Sequence, residues 1–295
     1  MSDLYPITME QLQTLDSYTC ERLTANSENK RLLHSFYNRR MPHLAVLFQT
    51  NAWEEDQRGY PMAYYVVKNP AGEIAMVFAL RCGVLFDTGS LKYLMDKKER
   101  YDMLINSMGN EAFTVEMRRE LLDLYHEVQK YEFLMEDIRF DSNKSMLRVT
   151  ESYPAIELVY LCLNDCVSDA WHHSGMQHKT MGETLFWRFL IPKVQEIANL
   201  VGCQYLYTFV ADDHANGALI NYFRNVLHFS SGEHLGTAKP IFDFMCTMLY
   251  QPIYPMDHTE FDYEPGEPEA LRGIVQWREE FFRYFNNDPN SGEFV

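Results

Sequence analysis

The clearest hydrophobic pattern in the chain is an apolar segment, a loop and an amphipathic segment between residues 156 and 201. The first segment, Ile156–Leu163, contains one carboxylate, Glu157. From Gly182 to Val201, apolar side chains recur every three or four residues, which predicts a helix with one buried face. A second short apolar segment follows at 204–210. This order predicts a right-handed βαβ unit with two neighbouring parallel strands.

The sequence also marks the two ends of this helix. Thr180 and Glu183 have the spacing of a capping box, which fixes the first turn. Pro192 predicts a kink, and Gly202 predicts the end of the helix. The first N–H groups of a helix have no intrahelical partners and lie at the positive end of its dipole. The junction before Gly182 is therefore predicted to bind an anion such as a phosphate.

Similar patterns predict the elements on either side of this unit. Thr8 and Gln11 form another capping box, which opens a first helix through about Leu23. A second helix is predicted from Asn29 to Arg40. β-forming residues at 62–67 and 73–85, joined by the turn Asn69-Pro70-Ala71-Gly72, predict an antiparallel hairpin. The closing strands are predicted at 226–232 and 242–251, and a final helix at 268–285.

Composition limits the classes of protein that fit. A chain of 295 residues with 46% hydrophobic content can bury a full core. The net charge of −16 argues against nucleic acid or an anionic membrane as partner. The six cysteines contain no Cys-x-x-Cys pair, so we expect them to be reduced. With neither a signal-peptide pattern nor a run of about 18 apolar residues, a cytoplasmic location is expected.

Two segments resemble motifs of the GCN5-related N-acetyltransferase (GNAT) superfamily. Gln177 to Gly182 is similar to the Gln/Arg-x-x-Gly-x-Gly/Ala loop that holds the pyrophosphate of acetyl-CoA in that family, although Thr180 stands where glycine is usual. The stretch 213–229 resembles the family's next helix, Asn-x-x-Ala-x-x-x-Tyr followed by Leu-Gly-Phe, which here ends in Leu-His-Phe. The order and spacing of the two motifs carry the resemblance, over roughly residues 60 to 252.

The second motif leaves one register open. Tyr222 lies four residues after Ala218, as the pattern asks, whereas Phe223 lies seven residues after Asn216. By the resemblance, the tyrosine is the acid that donates a proton or a hydrogen bond to the leaving thiolate. An aromatic side chain packed in the core is the alternative for Tyr222.

The resemblance implies an α/β fold of the α+β type. The expected sheet is mixed and mostly antiparallel, with one central parallel strand pair, flanking helices and a helical insertion. The domain is placed at 1–252, with the insertion at about 90–140, and an acidic linker and C-terminal helix at 253–295. The insertion covers the acceptor site, mediates homodimerisation or simply extends the scaffold; the sequence leaves these three roles open.

The implied activity is transfer of an acyl group, most simply acetyl from acetyl-CoA as co-substrate, to a primary amine of a small molecule or peptide. Glu157 is the candidate general base, because a carboxylate in an apolar strand is desolvated and its protonated form is favoured. Asp165 is a second candidate base. The alternative for Glu157 is a structural carboxylate that is solvated or paired with Arg81 or Lys179.

The resemblance also implies a set of cofactor-binding residues. Main-chain groups at the end of the first strand are expected to pair with the pantetheine amides, and the loop, the first helical turn and the asparagine of the second motif are expected to hold the rest of acetyl-CoA. These residues are Leu161, Cys162, Leu163, Gln177, His178, Lys179, Thr180, Met181, Gly182, Glu183 and Asn216.

Other residues in the sequence suggest different functions. His172, His173 and His178 lie near Asp169, and such groups can bind zinc, but they fall in a loop rather than on one helix face, so no metal is predicted. Cys162 and Cys166 have no oxyanion-hole motif beside them. A non-catalytic acyl-CoA-binding or interaction module on the same fold is the main alternative, and a metal hydrolase is a third.

Overall fold

The computed structural model describes residues 8–87, 89–109, 113–140, 152–176, 179–211, 217–231, 235–237, 246–255 and 273–286. The chain divides into two units. The first contains residues 1–83, 154–231 and 241–295, and the second contains residues 84–153 and 232–240.

The strands, in chain order, are β1 Thr19–Arg22, β2 Ala63–Lys68, β3 Ile74–Asp87, β4 Ser152–Leu163, β5 Tyr205–Val210, β6 Ser230–Ser231, β7 Leu235–Gly236 and β8 Thr247–Pro252. The helices are α1 Met9–Asp16, α2 Glu28–Leu33, α3 Pro42–Leu47, α4 Trp53–Arg58, α5 Gly89–Ser107, α6 Val115–Phe140, α7 Ser168–Trp171, α8 Met181–Leu185, α9 Ile191–Val201, α10 Ala218–Asn225 and α11 Ile274–Asn286.

The sheet has the strand order β1-β2-β3-β4-β5-β8-β6. The pairs β1–β2, β2–β3, β5–β8 and β6–β8 are antiparallel, whereas β4–β5 is parallel. The parallel pair is formed by the two strands on either side of the amphipathic helix, as predicted. The structure therefore confirms the predicted fold class, a mixed and mostly antiparallel sheet with one central parallel pair.

Each face of the sheet in the first unit carries its own hydrophobic core. On one face, side chains of α1, α8, α9, α10 and α11 pack against β4 and β5. On the other face, α2, α3 and the π-helical turn Phe48–Ala52 pack against β2 and β3. Because strand side chains alternate between faces, β4 contributes to both cores.

Tertiary pairing shortens the first helix. The Thr8–Gln11 capping box is formed, but α1 ends at Asp16 rather than near Leu23. The next residues form β1, which pairs with β2 from Thr19/Lys68 onward. Pairing at the edge of the sheet thus overrides local helical periodicity. The predicted hairpin is confirmed, with Val66 opposite Val77 in the β2–β3 register.

The amphipathic helix runs from Met181 to Val201 with a change of winding in the middle. The segment Phe186–Leu190 is a wider π-helical turn, and α9 begins directly after it with Pro192 in its first turn. A proline lacks the N–H that a continuous α-helix needs, so the wider turn lies where the kink was predicted. Gly202 ends the helix in a left-handed conformation with φ 75°.

The second unit contains α5 and α6, so the helical character predicted for residues 90–139 is confirmed over 90–107 and 115–139. Arg100 on α5 donates two hydrogen bonds to the Glu120 carboxylate on α6, at 2.7 and 2.9 Å. Within the same unit, β7 pairs with the distal end of β3. None of the helices that the structure describes is both long and apolar enough to cross a membrane.

Candidate functional site

The predicted site residues that the structure describes lie on β4, at the start of α8 and on α10, all in the first unit. Gln177, His178 and Asn216 lie outside the described residues. The remaining residues show how the strand, the helix and the tyrosine are arranged.

The parallel ladder between β4 and β5 is short. It pairs Ala155 with Tyr205 and continues to the pair Glu157/Tyr207, although both strands are described well beyond that point. The next carbonyl, that of Leu158, accepts a hydrogen bond from the Thr208 side-chain hydroxyl at 2.8 Å. Main-chain pairing between the two strands thus stops after Glu157, and β5 continues to pair with β8 alone.

A bulge interrupts β4 immediately after this point. Leu158 and Leu161 pack on one face of the sheet, whereas Val159 and Tyr160 both pack on the other. Two consecutive residues on one face break the alternation of a regular strand, which indicates a β-bulge. Bulges bend a strand and increase its twist, so this one helps to part β4 from β5.

The direction of the main-chain groups supports the same conclusion. The Leu158 carbonyl points to β5, but the Asn164 N–H points to β3, where it donates to the Ala75 carbonyl at 2.9 Å. Residues an even number apart in a regular strand point their main-chain groups to the same side, so one extra residue lies between them. After the bulge, the Leu161 main chain faces away from β3 and the Cys162 main chain faces β3.

The last residue of β4 is hydrogen-bonded to the segment that follows α2. Asn38 Nδ2 donates to the Leu163 carbonyl at 2.9 Å, and the Arg39 N–H donates to Asp165 Oδ2 at 2.7 Å. The side chain of Cys162 is buried in the second core, and burial raises the pKa of its thiol to about 12. Of the three β4 residues predicted to contact pantetheine, Leu161 therefore has its main-chain groups best placed.

Glu157 lies in a polar cluster that spans three adjacent strands. Its Oε2 accepts from Arg81 Nε on β3 at 2.8 Å and from Tyr207 Oη on β5 at 3.0 Å, and its Oε1 accepts from Arg81 Nη2 at 3.0 Å. Glu157 is 4% exposed. The structure thus shows the pairing with Arg81 that the sequence left open, and the hydrogen bond from Arg81 to Glu157 raises the pKa of Arg81.

Sequence analysis missed Tyr207 and Gly83 as members of this cluster. A Cβ placed on Gly83 would overlap Tyr207 Oη, so the tyrosine reaches Glu157 only because β3 has glycine there. The available signal was the glycine itself, since glycine inside a strand marks close approach of another group. Its position two residues after Arg81 places both on the same face.

Gly83→Ala is expected to lower the free energy of unfolding by about 1–3 kcal/mol, because the new methyl group forces Tyr207 to move within a packed site. Urea unfolding followed by circular dichroism measures this change. The matched control is Gly109→Ala, where a Cβ has no neighbour within 4 Å. Equal stability of the two variants would contradict the close packing of Tyr207 on β3.

The start of α8 differs from its prediction in one respect. Thr180 is the N-cap residue, but its side chain makes no capping hydrogen bond to the helix backbone. Instead, Thr180 Oγ1 donates to Glu183 Oε2 at 3.1 Å. The predicted capping box is therefore wrong, because the two side chains bond to each other rather than to main-chain N–H groups. The first turn is left without the side-chain cap that its sequence predicts.

The start of α8 is in close contact with both β4 and α10. A Cβ placed on Gly182 would lie 3.1 Å from Tyr222 Oη and 3.1 Å from Leu163 Cδ1. On α10, Phe223 is buried in the core, and Tyr222 packs against the same core with its hydroxyl over Gly182. Strand end, helix start and phenol thus converge at one glycine.

The electrostatics of this junction follow from its burial. Burial and the nearby Glu183 carboxylate both raise the pKa of Tyr222, so its phenol stays protonated at neutral pH. Burial also raises the pKa of Glu183 and lowers that of Lys179. Trp171 Nε1 donates to the Lys179 carbonyl at 2.8 Å and anchors the loop before the helix. The phenol can therefore act as a proton or hydrogen-bond donor.

The histidine segment is helical rather than an open loop. His172 and His173 lie in the π-helical turn His172–Met176, which directly follows α7. His173 Nδ1 is 2.6 Å from the Asp169 carbonyl oxygen. Within the described ranges, no group of three His, Cys, Asp or Glu side chains is arranged to hold a metal ion.

Comparison with known proteins gives matches only among solved structures. No family model and no curated protein matches the chain. A structure of a mutant AtaT toxin bound to the C-terminus of the antitoxin AtaR and acetyl-CoA matches with TM-score 0.42 and 12% identity, covering 80% of this chain and 94% of that chain. AtaT complexed with acetyl-methionyl-tRNAfMet matches with TM-score 0.39, 12% identity and the same coverage of both chains.

The KacTA–DNA complex matches with TM-score 0.39 and 12% identity, covering 80% of this chain and 92% of that chain. These structures correct one prediction, the exclusion of nucleic acid as partner. That exclusion rested on the net charge of −16, which is a sum over the whole chain. Because AtaT and KacTA were solved with tRNA and DNA, and a sum does not describe any one face, the exclusion is withdrawn.

Proposed function

We propose that the chain is an acyl-CoA-dependent N-acyltransferase that transfers acetyl from acetyl-CoA to a primary amine. The observation that carries this proposal is the convergence at Gly182. There, Leu163 Cδ1 at the end of β4 and the Tyr222 hydroxyl both lie 3.1 Å from where a Cβ on Gly182 would be, at the uncapped start of α8. The start of α8 offers main-chain donors to an anion, and Tyr222 offers a protonated phenol. Both lie near the end of β4, beyond the point where its pairing with β5 stops.

The described residues fit acetyl-CoA at two places. The start of α8 offers main-chain N–H groups without a side-chain cap, and Gly182 leaves room that a larger residue would fill, so this turn would bind the pyrophosphate. Leu161, whose main-chain groups face away from β3 after the bulge, would pair with a pantetheine amide. When bound, acetyl-CoA supplies the activated thioester.

Glu157 retains the capacity to take a proton from the acceptor. An ionised carboxylate has about four acceptor sites, and Arg81 and Tyr207 occupy three of them, two on Oε2 and one on Oε1. The remaining site on Oε1 would accept the amine proton through one water molecule. Arg81 and Tyr207 hold the carboxylate in place, so the cluster positions the base as well as neutralising part of its charge.

The reaction then requires one bond to form and one to break. The deprotonated amine nitrogen attacks the thioester carbonyl, the C–N bond forms, and the C–S bond breaks. Tyr222 donates its proton or a hydrogen bond to the leaving thiolate, which the raised pKa of its phenol keeps possible at neutral pH. Glu157 passes the first proton, removed from the ammonium group, to solvent. The attacking nitrogen loses its second proton as the amide forms, and that proton replaces the one that Tyr222 gives to the thiolate, so the products are an amide and a thiol.

The test has a binding step and a transfer step. Calorimetric titration with acetyl-CoA measures binding, and thiol release measures transfer to a panel of primary amines. Aminoacyl-tRNA belongs in this panel, because AtaT was solved with an acetylated methionyl-tRNA. Binding followed by thiol release supports the proposal. Binding without transfer to any acceptor favours the non-catalytic module, and absence of binding by the folded protein contradicts both.

Tyr222→Phe is expected to lower kcat about tenfold, which corresponds to the loss of one hydrogen bond to a developing charge. The Kd for acetyl-CoA is expected to stay within about threefold, because the ring still packs against the core. Steady-state kinetics with calorimetry measures both quantities. Phe223→Tyr is a control, since that side chain packs in the core; restored activity in the double variant would contradict the assigned register.

A further inference from the structure

The last hydrogen bond between β4 and β5 comes from a side chain. In a regular parallel ladder, the Leu158 carbonyl would accept from a main-chain N–H of β5. Here it accepts from Thr208 Oγ1 at 2.8 Å, and the Thr208 main chain is opposite Leu249 on β8. Thr208 is 4% exposed, so the hydroxyl satisfies a carbonyl that water does not readily reach.

The position of this bond gives it a structural consequence. It lies between the final main-chain pair, Glu157/Tyr207, and the bulge at Val159 and Tyr160. Because the donor is a side-chain hydroxyl and not a main-chain N–H, the backbones of β4 and β5 are farther apart here than in a regular ladder. Because the Leu158 carbonyl already accepts from Thr208, it does not need a main-chain hydrogen bond from β5 at this point.

We propose that Thr208 is a positioning residue that ends the β4–β5 ladder and fixes how far the pantetheine arm of acetyl-CoA enters between the two strands. This inference rests on the proposed function, since it concerns the same acetyl-CoA site. By setting where the opening begins, Thr208 sets the position of the thioester relative to Glu157, whose pair with Tyr207 is the last rung before the opening.

The choice of residue type supports the proposal. Valine has the same shape as threonine but no hydroxyl, so it would leave the Leu158 carbonyl buried without its present donor, which is unfavourable. The strands would then regain a main-chain bond or admit water, and in either case the opening would change. Serine keeps the hydroxyl and is expected to preserve the arrangement. Thr208→Val and Thr208→Ser therefore form a matched pair.

The experiment compares two ligands by calorimetry, CoA and 3′-phospho-ADP, which is CoA without its pantetheine arm. Thr208→Val is expected to weaken CoA binding about tenfold, with the affinity for 3′-phospho-ADP changed less than about twofold. Thr208→Ser is expected to bind both ligands as wild type does. Thermal unfolding is measured for each variant, and Thr208→Ala, which also lacks the donor, replaces the valine variant if that variant does not fold.

The outcomes separate this inference from the proposed function. Wild-type affinity for CoA in a folded Thr208→Val variant overturns the positioning role while leaving the proposed function intact. An equal loss for both ligands also overturns it, because the effect would then be general rather than confined to the pantetheine arm. If the folded wild type binds neither ligand, the proposed function fails and the inference fails with it.

Discussion

Glu157→Gln is expected to lower kcat by about 10²–10³-fold, the contribution of a general base, while the Kd for acetyl-CoA changes less than about threefold. The amide keeps the shape of the side chain, but it does not take up the acceptor proton. Pre-steady-state measurement of acetyl transfer, combined with calorimetry, separates the chemical step from binding. The effect is expected in kcat because Glu157 lies on β4, whereas the proposed pyrophosphate site is the start of α8.

This substitution also changes the packing of the cluster, so stability is measured in parallel. The amide side chain of the variant would offer Arg81 one acceptor oxygen in place of two, and a buried ion pair would be lost. Asp165→Asn is the matched control, since Asp165 was the other candidate base and accepts from the Arg39 N–H at the end of β4. If the folded Glu157→Gln protein keeps the wild-type kcat, Glu157 is not the general base. If kcat falls only in Asp165→Asn, Asp165 is the general base instead.

Periodicity predicted the central βαβ unit because its strand and helix patterns are local. The single carboxylate in Ile156–Leu163 directed attention to Glu157, and the structure places it where three strands meet. The full cluster could not be predicted from the sequence, because Arg81 and Tyr207 lie on strands at least 50 residues away from Glu157 in the chain. Their meeting depends on strand order and register, which local pattern does not determine.

The details of the site depended on local competition between hydrogen bonds. Thr180 and Glu183 have capping-box spacing, yet their side chains bond to each other. The bulge at Val159 and Tyr160 has no signature in a continuous apolar run, because every residue there is suited to a core. By contrast, the ambiguity between Tyr222 and Phe223 is a question of helical phase, and α10 places Phe223 in the core and the Tyr222 hydroxyl over Gly182.

Gly182→Asp is expected to weaken acetyl-CoA binding at least about 100-fold, because a carboxylate at the proposed pyrophosphate site would repel a like charge at short range. Space adds to this effect, since a Cβ at Gly182 already meets Tyr222 Oη and Leu163 Cδ1 at 3.1 Å. Calorimetric titration measures the loss. The loss of affinity is expected to be smaller at high salt if charge repulsion dominates, and to be independent of salt if steric contact dominates.

Gly109→Asp is the matched control for this substitution. It adds the same charge to the chain at a glycine where a Cβ has no neighbour within 4 Å. Its acetyl-CoA affinity is expected to equal that of the wild type, because Gly109 belongs to the second unit and is not part of the turn at the start of α8. If Gly182→Asp binds acetyl-CoA like Gly109→Asp, the start of α8 does not hold the pyrophosphate. The convergence of β4, α8 and α10 would then be a packing contact alone.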